Sequence, residues 1–424
     1  MRYHRHTAGF TLVEMLVVAA LIVILMTVLV SMTNQTQRLI TSTSSKIEQF
    51  QEARVAFESM TRKLAQATLN TFWDYDYPLD ASGLKTDNSL PPLRYQRWSD
   101  LRFRTGPMPG LGGLNPPSGI GQPSLSYPGG NPQVGVGVMF HAPFGVVSDQ
   151  TIYGALDTTI NTWGYFNEIG DDSTSMPAFI STPAPAPAPP LIAPRRRYRL
   201  MELMVPTEEL RVFQPTAQVG QDRSWYLPFI NGTTPRTRVL SENIVLFLVL
   251  PRLTATDEKA WQALIPTTAM ANLAKNYVYD SSILNFATDE TYGGTNYKTV
   301  GWLNPKHQLP PVLQVIMVAI DELSAQRLDD KYKLTNPAVN AVDVPGMGIT
   351  LTSGASQIYN DPTSVPPQLF TSPLVLEDTY TAGVKTPGDL SKFEAMLQAQ
   401  KISYRIFSSR ISVLGAKWSR AQNQ

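Results

Sequence analysis

A short basic segment runs directly into a long apolar one at the start of this chain. Residues 10–30 carry a single ionisable side chain, Glu14, and are long enough to cross a bilayer as a helix. A carboxylate in such a segment costs about 2.5–3.5 kcal/mol on insertion scales, which predicts a functional role for Glu14. Gly9 stands before the apolar run, whereas a secretory signal is cleaved after its apolar core. The order of these features therefore argues against an ordinary secretory signal.

The segment Ala8-Gly9-Phe10-Thr11-Leu12-Val13-Glu14 resembles the class III signal of type IV prepilins and type II secretion pseudopilins. The resemblance implies that prepilin peptidase removes residues 1–9 as a leader and that the new amine of Phe10 is methylated. It also implies that Glu14, the fifth mature residue, acts as an assembly register by pairing with that amine in an adjacent subunit. The alternatives are a plain single-pass anchor and a long secretory signal, and neither requires Gly9 or Glu14 at these positions.

Charge and composition agree with an exported, membrane-anchored protein. The basic leader predicts a cytoplasmic N-terminus and a periplasmic remainder, hence a single-pass protein of the bacterial inner membrane. Loss of Arg2 and Arg5 with the leader leaves 33 of the 35 basic residues against 34 acidic ones. No strong field favours nucleic acid, and none is expected as a partner. Cysteine is absent, which excludes disulfides and thiol chemistry.

A long helix is predicted after the leader, because no Pro or Gly occurs between Gly9 and Pro78. Its membrane-spanning half covers residues 10–30, and its amphipathic half covers residues 31–77. One face of the amphipathic half is a predicted head-packing stripe, with Lys46 and Lys63 off it. The stripe consists of Ile47, Phe50, Phe57, Met60 and Leu64. A membrane-rooted coiled coil is the alternative, but the stripe is short for one, which favours packing on a globular head.

Residues 78–424 change in character and predict an α+β head with a mostly antiparallel sheet, so that the whole resembles a pilin-like lollipop. Residues 105–133 and 171–195 are rich in Pro or Gly and are interpreted as insertions, with a domain linker as the alternative for the Pro-Ala repeat at Thr182–Pro194. The predicted strands are Leu93–Phe103, Val134–Phe140, Arg197–Val205, Trp225–Ile230, Val239–Pro251, Pro311–Asp321 and Ile402–Leu414. Val245–Leu250 and Val312–Ile320 are nearly continuous apolar runs, typical of central strands. Helices are expected at Asp257–Leu264, Glu322–Asp330 and Leu390–Gln400, the last with Asp389 as N-cap.

Short head segments carry a second resemblance. Val239-Leu240-Ser241-Glu242-Asn243-Ile244 and Leu309-Pro310-Pro311-Val312-Leu313-Gln314-Val315 are similar to segments of J-type minor pseudopilins. Arg195–Leu203, Lys401–Phe407 and Ala416–Ser419 resemble a pseudopilin-like group called Verru/Chthon cassette protein C. The head is much larger than that of a standard J-type subunit.

Catalytic and metal-binding motifs are not evident. The four histidines (His4, His6, His141 and His307) form no metal-ligand spacing, and no nucleophile or phosphate-binding motif occurs. We therefore predict no enzymatic activity and no cofactor. The acidic residues Asp74, Asp76, Asp80, Asp171 and Asp172 are interpreted as solvated turn carboxylates, with calcium binding as the alternative.

Two further segments admit two interpretations each. The basic run at residues 195–199 is interpreted as a solvated strand end that counterbalances Glu202, Glu208 and Glu209, with DNA binding as the alternative. The aromatic residues of the segment 72–77 are interpreted as a latch where the long helix meets the head. Their alternative is a partner surface or carbohydrate platform.

These observations together favour a minor pseudopilin-like structural subunit. It would belong to a type II secretion pseudopilus or a type IV pilus-like fibre. Its expected partners are prepilin peptidase, other pilin or pseudopilin subunits, and the inner membrane. The alternative is a surface-displayed adhesive, or a DNA- or glycan-binding module, exported by the pilin route.

Overall fold

The computed structural model divides the chain into two compact units, residues 1–51 and 52–424. The mixed α+β class predicted from the sequence is confirmed. The structure describes residues 12–76, 91–92, 94–107, 133–156, 159–172, 177–181, 195–212, 225–231, 235–264, 273–274, 277–282, 291–292, 295–296, 307–335, 369–370, 373–381 and 383–416.

A single long helix, α1 (Leu12–Ala65), dominates the N-terminal part of the chain. Its 54 residues make it about 80 Å long. The predicted continuation to residue 77 is wrong, because residues 72–76 form a strand. Aromatic side chains favour a strand there, and the alternation of Trp73 and Tyr75 with aspartates places both rings on one face of it.

The described residues of the first unit, 12–51, are helical. Within them Leu12–Gln37 is long and apolar enough to cross a membrane, with a mean hydropathy of 2.9 over its most apolar window. Hydroxyl groups in this stretch are bonded inside the helix: Thr27 donates to the Val23 carbonyl at 2.7 Å and Thr33 to the Leu29 carbonyl at 2.8 Å. Back-bonding of this kind satisfies a hydroxyl without a partner outside the helix.

The remaining helices are short. They are α2 (Gln150–Tyr153), α3 (Ala178–Ser181), α4 (Leu227–Asn231), α5 (Ala255–Leu264), α6 (Glu322–Thr335) and α7 (Asp389–Ala399). Single 3-10 turns occur at Gly154–Leu156, Thr207–Glu209 and Pro373–Val375. The three predicted helices correspond to α5, α6 and α7. Asp389 is not the N-cap of α7: Gly388 is, and the Asp389 carboxylate accepts the Phe370 N–H at 2.7 Å.

A six-stranded antiparallel sheet forms the larger layer of the second unit, with strand order β7-β6-β5-β4-β3-β9. Its strands are β3 (Arg104–Pro107), β4 (Gln133–Ala142), β5 (Asn161–Asp171), β6 (Arg196–Val205), β7 (Thr237–Glu242) and β9 (Tyr279–Asp280). β5 was not predicted, and β3 begins at Arg104 and extends into the predicted insertion 105–133.

A smaller sheet has the order β15-β12-β8, with β8 (Ile244–Arg252), β12 (Val312–Ile320) and β15 (Tyr404–Ser412). β12 is central, as predicted. In the described part of the chain β8 pairs only with β12, so its predicted central position is wrong. It is nevertheless buried along most of its length because it packs against β4, β5 and β6 of the larger sheet.

Asn243 separates two strands that were predicted as one. Its φ of 62° ends β7, and the chain then enters β8 in the other sheet. Asparagine tolerates this left-handed conformation better than most residues. Its side-chain amide donates to Glu322 Oε2 at 2.9 Å, which fixes the turn against α6.

The predicted strand Trp225–Ile230 is wrong, since residues 227–231 form α4. Trp225 and Tyr226 are fully buried beside Phe166 and Leu203, on one face of the six-stranded sheet. A short apolar run does not distinguish a strand from a buried helical turn.

The part of the chain that the structure describes also contains three two-stranded antiparallel ribbons. They are β1 (Phe72–Asp76) with β2 (Arg94–Trp98), β10 (Thr291–Tyr292) with β11 (Thr295–Asn296), and β13 (Thr379–Thr381) with β14 (Val384–Thr386).

Candidate functional site

The first candidate site is the N-terminal segment. Gly9 and Phe10 lie outside the described residues. Glu14 lies exposed in the first turn of α1, followed by an apolar stretch that continues to Met32. A carboxylate in the first turn of a helix is favourably placed relative to the helix dipole.

The second candidate site is the C-terminal part of α1, where the helix belongs to the second unit. Phe57, Met60 and Leu64 are buried there, and the Phe57 ring lies 5.8 Å from the ring of Phe407 on β15. Ile47 is 53% exposed and Phe50 is half-buried. Within the second unit the burial of this helix begins at Ala53. Ile47 and Phe50 belong to the first unit, so their packing on the head stays a prediction.

Lys63 was predicted to lie off the packed face, but it makes a polar contact between α1 and the six-stranded sheet. Its ammonium group donates to Glu202 Oε1 on β6 at 2.7 Å and lies 4.3 Å from the centre of the Trp163 ring. The four-carbon stem of a lysine can lie along an apolar surface while its charge reaches a partner beyond the packed stripe. The interpretation of Glu202 as part of a solvated counter-charge is also wrong.

Strand pairing builds the rest of this charged cluster around Glu202. Tyr165 on β5 and Arg238 on β7 lie directly opposite Glu202 on β6, so their side chains share one face. Tyr165 donates to Glu202 Oε1 at 2.9 Å, Trp163 Nε1 donates to the same oxygen at 2.8 Å, and Arg238 Nε donates to Oε2 at 2.7 Å.

The electrostatics of the cluster keep Glu202 ionised in the fold. Burial alone raises the pKa of its carboxyl, but the hydrogen bonds from Lys63 and Arg238 outweigh burial and leave that pKa below its usual value. Burial and the neighbouring Glu202 raise the pKa of the Tyr165 hydroxyl, which stays protonated and keeps donating. A fully buried carboxylate with four donors thus anchors the last turns of α1 to three strands.

The basic run at the start of β6 was predicted to be a solvated strand end, which is right for the exposed Arg195 but wrong for Arg197 and Arg199. Arg197 is buried, donates to Glu322 at the start of α6 and lies 3.6 Å from Asp329. Arg195 donates to Asp172 at 2.9 Å. The prediction failed for Arg197 because its acidic partners come from α6, which is remote in sequence, and these pairs join β6 to α6.

The aromatic segment at residues 72–76 is not a buried latch either. Phe72, Trp73 and Tyr75 are exposed to solvent on β1. The strand leaves α1 as part of a hairpin with β2, so its outward-facing side chains do not reach the packed face of the helix.

Among the described residues, no group of three His, Asp or Glu side chains could hold a metal ion. Asp80 lies outside those residues, and Asp172 is paired with Arg195. His141 is buried and stacks on Trp225 with 5.5 Å between ring centres; burial lowers the pKa of its imidazole to about 4.

The first candidate site matches a known family model. The family model described as the prokaryotic N-terminal methylation motif matches residues 4–30. No curated protein matches the chain, and no solved structure does. The chain therefore carries a type IV pilin-like prepilin motif, which indicates an exported protein of the pilin-like class. The apolar helix and the antiparallel sheets are consistent with a pilin-like fold, and the helix together with the motif fits membrane anchoring.

Proposed function

We propose that this protein is a minor pseudopilin-like structural subunit of a type II secretion pseudopilus or a type IV pilus-like fibre. The match of residues 4–30 to the methylation motif carries the proposal. In it, prepilin peptidase cleaves after Gly9, Phe10 becomes the methylated N-terminus, and residues 10–30 hold the subunit in the inner membrane with a periplasmic head. The partners are other pilin or pseudopilin subunits.

The apolar helix and Glu14 supply the assembly chemistry. In a low-dielectric fibre core, an ionised carboxylate is stable only with a positive partner close by. The new amine of Phe10 in an adjacent subunit is such a partner, and it exists only after the leader has gone. Glu14 would therefore restrict assembly to processed subunits and set their stagger.

The charged cluster at Lys63 supports a mechanical role for the head. α1 is continuous from the apolar segment to Ala65, and Lys63 ties its end to a fully buried carboxylate on β6. Separating them would strand a buried charge at a cost of about 3–5 kcal/mol. A force applied along α1 during assembly is thus transmitted to the sheet.

Processing is tested by Gly9→Val. A side chain at this position is expected to block the peptidase cleft and leave residues 1–9 attached. Mass spectrometry of the membrane protein should show N-methylated Phe10 at the wild-type N-terminus and an intact leader in the variant. Ala8→Ser, which keeps Gly9, serves as the control and should be cleaved. A wild-type chain that begins at Met1 or near residue 35 would overturn the proposal.

The assembly register is tested by Glu14→Gln, which keeps the shape of the side chain and removes its charge. We expect normal cleavage but crosslinking to other pilin subunits reduced by about tenfold or more, because the Phe10 amine loses its counter-charge. An immunoblot for processing accompanies the crosslinking. Glu48→Gln, an exposed carboxylate beyond the apolar segment, is the matched control. Undiminished crosslinking by fully processed Glu14→Gln would leave Glu14 as a peptidase recognition residue only.

A further inference from the structure

The β1–β2 hairpin carries a row of exposed rings that the proposed function does not use. Strand register pairs Trp73 with Arg97 and Tyr75 with Tyr95, so these four side chains share one face. Trp73 is 53% exposed, Tyr75 49% and Tyr95 58%. We call these four residues the aromatic row.

The members of the aromatic row contact one another in sequence. The Arg97 guanidinium lies 5.5 Å from the centre of the Trp73 ring, within the range of a cation–π contact. Trp73 stacks on Tyr95 with 5.6 Å between ring centres, and Tyr95 lies 5.2 Å from Tyr75. Mutual contacts restrict the rotamers of all four side chains, so the surface is formed before any ligand arrives.

The opposite side of the hairpin holds it against the head. Trp98 packs on His307 with 5.1 Å between ring centres. Just beyond β2, the side-chain oxygen of Asn70 accepts hydrogen bonds from the N–H groups of Asp100 and Leu101. The aromatic row is therefore a fixed surface with one face left to solvent.

The composition of the two strands selects among ligands. Five of their ten residues are aromatic and none is aliphatic, while the others are two Asp, two Arg and one Gln. The apolar centre of a protein interface contains both aromatic and aliphatic side chains, and this face has no aliphatic side chain. The two Asp side chains alternate onto the opposite face from the aromatic row. Single-stranded nucleic acid requires a positively charged groove, whereas only Arg97 among the ten strand residues puts a cation on the face of the row. Sugar rings, by contrast, present C–H groups on their faces, which pack on aromatic rings, and hydroxyls at their rims, which bond to charged and amide groups.

We propose that the aromatic row binds an extended polysaccharide built of pyranose rings with equatorial hydroxyl groups. Equatorial hydroxyls leave the ring faces apolar, so that successive sugars lie along the successive rings of the row. Arg97 donates hydrogen bonds to the sugar hydroxyls or ring oxygens at one end. This binding requires no assembled fibre and goes beyond the structural role proposed above.

The test is calorimetric titration of the full chain in detergent with cellohexaose, chitohexaose and maltohexaose. We expect at least one of the first two to bind with a dissociation constant between about 10 μM and 1 mM, and more tightly than maltohexaose, whose chain curls. Trp73→Ala and Tyr95→Ala should each weaken that binding at least tenfold. Both residues are exposed, so the thermal midpoint should stay within about 2 °C of the wild type.

Tyr380→Ala is the matched control, because Tyr380 is an exposed tyrosine on the β13–β14 hairpin. It should bind as the wild type does. Absence of heat with all three sugars up to about 10 mM, or equal binding by Trp73→Ala, would overturn the proposal. If a single-stranded oligothymidylate binds more tightly than any of the three sugars, and Trp73→Ala weakens that binding, the ligand is nucleic acid and the proposal is overturned too. None of these results depends on cleavage at Gly9 or on subunit crosslinking, so they leave the proposed function untouched.

Discussion

Lys63→Met is expected to lower the free energy of unfolding by about 3 kcal/mol at neutral pH. The substitution keeps an unbranched stem beside Trp163 and removes the charge that Glu202 faces. Removal of one partner of a buried ion pair costs about 3–5 kcal/mol, and the lower end applies here because Arg238 remains bonded to Glu202. Urea unfolding of the full chain in detergent, followed by near-ultraviolet circular dichroism, measures the difference.

The matched control is Arg54→Met on the same helix. Arg54 pairs with Glu58 one turn away, and both side chains are exposed. Exposed pairs of this spacing contribute about 0.3–0.5 kcal/mol, so this variant should unfold almost as the wild type does. Equal losses for Lys63→Met and Arg54→Met would show that Lys63 is not an anchor.

The effect of Lys63→Met should also depend on pH. The folded pKa of Glu202 lies below its usual value of 4.5, so the carboxylate contributes stability above that pH. This contribution is lost as the pH falls through the folded pKa and the group becomes protonated. The difference between wild type and Lys63→Met should therefore be full at pH values well above 4.5 and shrink below it. A difference that is constant across this window would assign the effect to packing alone.

Phe57→Ala is the second large effect and should cost about 3–5 kcal/mol, as truncation of a buried phenylalanine does. Phe57 packs on Phe407, and the surrounding β15 cannot close the cavity without shifting. Val55→Ala is the control on the same helix, since Val55 is 66% exposed and its truncation should change stability by less than about 0.5 kcal/mol. The same urea experiment measures both.

Ile47→Ala distinguishes the structure from the sequence pattern. Periodicity places Ile47 in the packed stripe, which predicts a loss close to that of Phe57→Ala, whereas its exposure predicts a small one. A large loss for Ile47→Ala would mean that the stripe is packed along its whole predicted length.

Sequence patterns predicted the structure correctly where the interactions that stabilise it join residues close together in the chain. The apolar run after Gly9 is long and free of Pro and Gly, which is sufficient to predict a helix. The spacing of three and four residues identified Phe57, Met60 and Leu64 as one helix face. The same periodicity continues through Ile47, which lies in the first unit, and its packing stays a prediction. Only the tertiary structure shows that burial begins at Ala53.

The sequence could not predict the ion pairs between residues that lie far apart in the chain. Lys63 and Glu202 are 139 positions apart, so helical periodicity could place Lys63 beside the stripe but could not supply its partner. Arg197 likewise pairs with Glu322, 125 positions away. For the aromatic segment, the signal was present but misread: alternation of Trp73 and Tyr75 with aspartates has the period of a strand with one polar face.

The closure of β15 onto α1 sets an order of events during biosynthesis. Phe57 is covered by Phe407, and the Leu414 N–H donates to the Ala65 carbonyl, so the end of the helix is completed by one of the last described strands. At about 5–20 residues per second, the intervening chain takes tens of seconds to be made. Throughout that time Phe57 lacks its contact with Phe407, and contacts so distant in sequence form slowly. The nascent second unit is thus open to aggregation and proteolysis until β15 has been made, and loss of that strand would leave α1 formed but the second unit unable to finish folding.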